Sequence, residues 1–116
     1  MIYIRRTVDK ELRDHLDKPE VSLILGPRQS GKTTIMIHLL NDLKREFRPT
    51  AYFNLDIIED RQFFISQHAL LNRINFLLGS KRGVIFIDEI QRLENAGLFL
   101  KGLYDLESGH KFIVSG

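Results

Sequence analysis

Val21-Ser22-Leu23-Ile24-Leu25-Gly26-Pro27-Arg28-Gln29-Ser30-Gly31-Lys32-Thr33-Thr34 decides how this chain is read. It opens with a short apolar run of the kind that forms a buried strand, stopped by Gly26-Pro27. Gly26 to Thr33 then fits G-x-x-x-x-G-K-[ST], the phosphate-binding loop. A triphosphate is a dense cluster of negative charge. Such a loop wraps it with backbone N–H groups and aims the positive N-terminal end of the following helix at it. Gly26 and Gly31 permit the backbone angles and the close approach this needs. Lys32 is expected to reach the β- and γ-phosphates, and the Thr33 hydroxyl to take one position on Mg²⁺. Gly26, Pro27, Arg28, Gln29, Ser30, Gly31, Lys32, Thr33 and Thr34 are thus the candidate nucleotide-binding residues.

The motif carries weight only between a strand and a helix. Lys32 to Arg45 supplies the helix, with Ile35, Met36, Leu39, Leu40 and Leu43 as an apolar stripe and Lys44-Arg45 suited to its C-terminal end. On the N-terminal side, Thr7 to Leu16 reads as a short helix ended by Pro19. On the other side, Ala51 to Leu55 is a strand candidate that ends at Asp56. Gln62 to Leu78 reads as a helix with Phe63, Leu70, Ile74 and Leu77 on one face and Gly79 as its stop. Val84 to Ile87 is the clearest buried strand, Leu98 to Leu106 a further helix, and Lys111 to Val114 a fourth strand. Alternating strands and helices predict an α/β, three-layer P-loop NTPase fold with a mostly parallel sheet. Ligands sit beyond the C-terminal strand ends of such a fold. Gly26, Asp56, Asp88-Glu89 and Ser115 stand at those ends.

Asp88 and Glu89 follow an apolar strand, as in the second nucleotide motif. An Asp at this point holds the Mg²⁺ shell in P-loop NTPases. A carboxylate beside the γ-phosphate orients and polarises the attacking water. Asp88, with Thr33, is the candidate metal residue, and Glu89, with Lys32, the candidate catalytic residue. The GTPase signatures D-x-x-G and N-K-x-D do not occur in the sequence. A P-loop kinase stays open, although the adjoining Glu89 fits water activation better.

Bulk composition narrows the partners. The chain has 116 residues, the size of one modest domain, here taken as 1–116. Its 17 basic and 15 acidic residues leave a net charge of +2, which does not support a nucleic-acid backbone binder. It has no cysteine, so disulfides, zinc–cysteine sites and thiol catalysis are excluded. No stretch approaches the roughly 20 apolar residues of a membrane span, and Met1 to Arg6 has no secretory character. A cytoplasmic location is the default expectation.

Gly26 to Thr34, Tyr52-Phe53-Asn54-Leu55-Asp56 and Phe86-Ile87-Asp88-Glu89-Ile90-Gln91 together resemble the N-terminal ATPase domain of the prokaryotic AAA+-type proteins that often carry a nuclease-like C-terminal domain. Phe112 to Gly116 resembles the fourth strand of that family. The resemblance spans essentially the whole chain. It implies ATP binding at the loop, Mg²⁺ near Asp88 and a catalytic role for Glu89. It also implies a Ser115 strand lying between the P-loop strand and the Asp88 strand, with Ser115 or a residue beyond Gly116 as the polar sensor. Relative to the family, the sequence stops before a further strand, an arginine finger and a helical lid. The expectation is therefore a fold incomplete at its C-terminus, with the P-loop strand at an open sheet edge. A missing C-terminal domain or a homo-oligomer is the implied partner. By the same analogy the adenine pocket lies near Ile4 to Val8.

Other polar residues carry two readings each. Arg28 touches phosphate or is solvated; Gln91 reports nucleotide state or bonds a helix start; Asp56 supports Mg²⁺ waters or starts a turn. His15, His38, His68 and His110 form no ligand spacing, and Phe53, Phe63, Phe64, Phe76 and Phe86 read mostly as core. Two functions follow: an ATPase yielding ADP and phosphate, or a nucleotide-dependent switch module without significant hydrolysis.

Overall fold

The computed structural model describes residues 2–5, 9–24 and 31–116, with side chains for 12–24 and 31–116. Strands β1 (Ile2–Arg5), β2 (Val21–Ile24), β3 (Thr50–Asn54), β4 (Val84–Asp88) and β5 (Lys111–Ser115) form one sheet in the order β1-β2-β5-β4-β3. Every pairing in it is parallel. The helices are α1 (Asp9–Asp14), α2 (Lys32–Arg45), α3 (Ile58–Arg61), α4 (Gln67–Leu78) and α5 (Ala96–Asp105). No helix among the described residues is long and apolar enough to cross a membrane.

The layers follow from strand alternation. Successive side chains of a strand point to opposite faces. Val84, Phe86, Ile113 and Ile24 pack with Leu12, Leu16, Met36, Leu39 and Leu43 of the α1–α2 side. Ile85, Ile87, Phe112 and Val114 pack with Leu70, Ile74, Leu100 and Leu103 of the α4–α5 side. β4 is buried at every position, as a central parallel strand covered on both faces must be. β5 lies between β2 and β4, as the resemblance implies.

One charged group sits inside this framework. Lys111, at the start of β5, is only 6% exposed. Its Nζ donates to the carbonyl of Lys18 at 3.1 Å and to that of Glu20. Burial pulls its pKa down to about 8, against the opposing pull of the Glu20 charge.

The structure corrects three expectations. The P-loop strand is not at an open edge: β1 pairs alongside β2 in register from Ile2↔Val21 to Arg5↔Ile24 and takes up its free backbone groups. The helix expected over Gln62 to Leu78 is broken into α3, a single 3₁₀ turn at Gln62–Phe64, and α4. Ser66 sets the break. Its backbone is extended and its Oγ accepts from Ala69 N at 3.0 Å, which caps α4. Phe76, read as core, is 77% exposed, and Leu77 is also exposed. Of the first predicted helix, Asp9–Asp14 is helical, and residues 7–8 lie outside the described residues.

Candidate functional site

Gly26, Pro27, Arg28, Gln29 and Ser30 lie outside the described residues. The described part of the loop begins at Gly31, whose φ of 84° is left-handed, a conformation open to glycine at little cost. Its carbonyl accepts from Ile35 N at 3.0 Å and so starts α2. Among the described residues no side chain caps that helix start and its first turn holds no acid, which suits its N–H groups and positive end to an anion. Lys32 is half-buried there, and Thr33 and Thr34 are exposed.

Asp88 ends β4, is 1% exposed, and among the described residues gathers four donors from four segments. Thr33 Oγ1 and Tyr52 OH each donate to its Oδ2 at 2.8 Å. Ser115 Oγ and the backbone N–H of Glu89, at 2.9 Å, donate to Oδ1. A carboxylate offers about four acceptor positions, so Asp88 is fully engaged. The sheet register brings these groups together: Asn54 pairs with Asp88, and Ile87 pairs with Val114 just before Ser115.

This arrangement fits Mg²⁺. Thr33 spends its hydrogen on Asp88, and its oxygen lone pairs remain for a hard cation. Among the described residues no group of three or more His, Cys, Asp or Glu forms a metal cage. Mg²⁺ does not need one, because it takes one or two protein oxygens and fills the rest of its shell with water and phosphate.

Glu89 follows with φ 60° and ψ 45°, a left-handed conformation that costs a non-glycine residue about 1–2 kcal/mol. Its N–H bond to Asp88 helps to hold it there. Gln91 Nε2 donates to Glu89 Oε1, so the Gln91 side chain bonds this acid directly. Asp56 settles as a turn residue: its N–H donates to Asn54 Oδ1 at 2.9 Å, and its Oδ1 accepts from Arg92 Nε at 2.6 Å. The Ser115 hydroxyl is turned to Asp88. His110 sits at the other end of the sheet, where its Nδ1 accepts from Gly83 N at 3.1 Å; burial first, and then Arg82, lower its pKa. Of the segment suggested for adenine, Ile4 and Arg5 belong to β1 and residues 6–8 lie outside the described residues.

Sequence reasoning missed Tyr52. Its ring packs with the α1–α2 cluster and its hydroxyl reaches Asp88. The available signal was a tyrosine within a strand, because a half-buried phenol seeks a partner for its hydroxyl.

Residues 18–116 match the family described as "AAA domain". A 43-residue stretch is 44% identical to polynucleotide 5'-hydroxyl-kinase GRC3 of Cryptococcus neoformans var. neoformans serotype D, both in strain B-3501A and in strain JEC21 / ATCC MYA-565. That stretch is 37% of this chain, and it spans 6% of the length of these curated relatives.

Proposed function

Because the chain belongs to the AAA domain family, we propose that it binds ATP with Mg²⁺ through Gly26 to Thr34 and hydrolyses it to ADP and phosphate. The observation that carries this reading is the 2.8 Å bond from Thr33, in the first turn of α2, to buried Asp88 at the end of β4. It joins the phosphate loop to the acidic strand end.

In this reading Lys32 and the loop amides bind the phosphates and stabilise the charge that shifts during transfer. Thr33 would hold Mg²⁺ through its hydroxyl oxygen, and Asp88 would act by accepting the hydrogen of that hydroxyl. When bound, Mg²⁺ neutralises charge on the β- and γ-phosphates. Glu89 takes a proton from the attacking water as the water oxygen bonds the γ-phosphorus. The bond to the bridging oxygen breaks, and that oxygen leaves with ADP. The bond from Gln91 supports this role by fixing one oxygen of the Glu89 carboxylate.

Calorimetry with ATP and Mg²⁺ tests binding: the chain should bind and Lys32→Ala should not. Glu89→Gln tests turnover. Phosphate release should fall by about 10²–10⁴-fold, the usual contribution of a general base, while ATP affinity stays within a few fold. Background turnover in the unaltered chain would instead favour the switch reading. The local likeness to a polynucleotide 5'-hydroxyl-kinase raises a second acceptor. Label from γ-phosphate appearing on an oligonucleotide 5'-hydroxyl, rather than as free phosphate, would replace hydrolysis with transfer.

A further inference from the structure

Tyr52 lies in the middle of β3, opposite Phe86 in the register, while Asp88 is opposite Asn54. Asp88 is therefore the diagonal neighbour of Tyr52 on the same face, within reach of a long side chain. The ring runs along that diagonal, packed against the cluster that contains Phe86 and Met36. Its hydroxyl meets Asp88 Oδ2, the same oxygen that accepts from Thr33, and both bonds measure 2.8 Å. Packing holds the phenol, and the phenol holds the oxygen.

We propose that Tyr52 is a positioning residue for the Mg²⁺ site: by fixing Asp88 Oδ2 it directs the Thr33 hydrogen toward Asp88 and leaves the Thr33 lone pairs facing the metal. This rests on the function proposed above. Ser115 and Glu89 N–H anchor only the other carboxylate oxygen. Without the Tyr52 hydroxyl, Oδ2 keeps Thr33 as its single donor among the described residues, and Thr33 is itself exposed.

Partners that orient a metal ligand are commonly worth 10–100-fold in metal affinity. The test is calorimetric titration of ATP into the unaltered chain and Tyr52→Phe, first in EDTA and then over a series of Mg²⁺ concentrations. The variant removes one oxygen and keeps the ring, and circular dichroism checks its fold. Tyr52→Leu is the companion variant, since it disturbs packing as well. The expected result is an unchanged ATP affinity in EDTA and a Mg²⁺ midpoint raised about tenfold in both variants. Midpoints within twofold of the unaltered chain in Tyr52→Phe would overturn the role of Tyr52 and leave the proposed function standing. A raised midpoint in Tyr52→Leu alone would assign the effect to packing and also overturn it. An unaltered chain that binds no ATP under any condition would overturn both readings.

Discussion

Raising the pH should stabilise this protein through one residue, Lys111. It is 6% exposed, and burial pulls its pKa to about 8 from the ordinary value of 10.5. Below pH 8 the side chain is protonated in both the folded and the unfolded chain, and folding carries the whole cost of burying the charge. Between pH 8 and 10.5 the unfolded chain binds the extra proton, so stability rises with pH. Above that window both forms are neutral and the cost is gone. At about 1.4 kcal/mol per unit the gap, which already includes the opposing Glu20 charge, sets a ceiling of about 3 kcal/mol, and partial solvent access brings the working figure to about 2 kcal/mol. The neutral amine still donates to the carbonyls of Lys18 and Glu20. The assay is urea unfolding from pH 7 to 10.5 for the natural chain and for Lys111→Met, which lacks the titration. The difference between them cancels the contributions of other groups. Over that range the midpoint of the natural chain should rise relative to the variant by about 1 M urea, given a slope of about 1–3 kcal/mol per M. A difference that stays flat across the window would refute the assignment of a buried, charged amine.

Two further substitutions probe the framework. Gly83→Ala should destabilise by about 1–3 kcal/mol, because a Cβ there would lie 2.7 Å from the Pro49 carbonyl oxygen, a backbone atom that cannot swing away; the urea midpoint reads this. Ser66→Ala removes the cap of α4 and should cost about 1 kcal/mol, with faster amide hydrogen exchange confined to the first turn of that helix.

The sequence made the middle of the fold legible because its signals there are strong and local. The α2 stripe of Met36, Leu39, Leu40 and Leu43 is buried as its period requires, and Val84 to Ile87 has the unbroken apolar character of a central parallel strand. The edges were harder to read. β1 is four residues long, and its pairing with β2 is a long-range choice that no local pattern announces. The helix over Gln62 to Leu78 was overextended because Ser66 fits a helix interior tolerably and a cap far better. At the site, Asp88 and Glu89 stood out by position, but the donor set around Asp88 did not. Thr33, Tyr52 and Ser115 come from segments far apart in the chain, and only the register brings them to one carboxylate.

The strand order also dictates how the sheet must be built in time. β5 is the last of the five strands in chain order, yet it lies in the middle, with β2 on one side and β4 on the other. Neither the β2–β5 nor the β4–β5 pairing can form until β5 takes its place. Ser115 arrives on that same strand, so Asp88 gains this side-chain donor only when β5 is in place. Pairing of β5 with β2 and β4 and delivery of the Ser115 donor to Asp88 therefore go together.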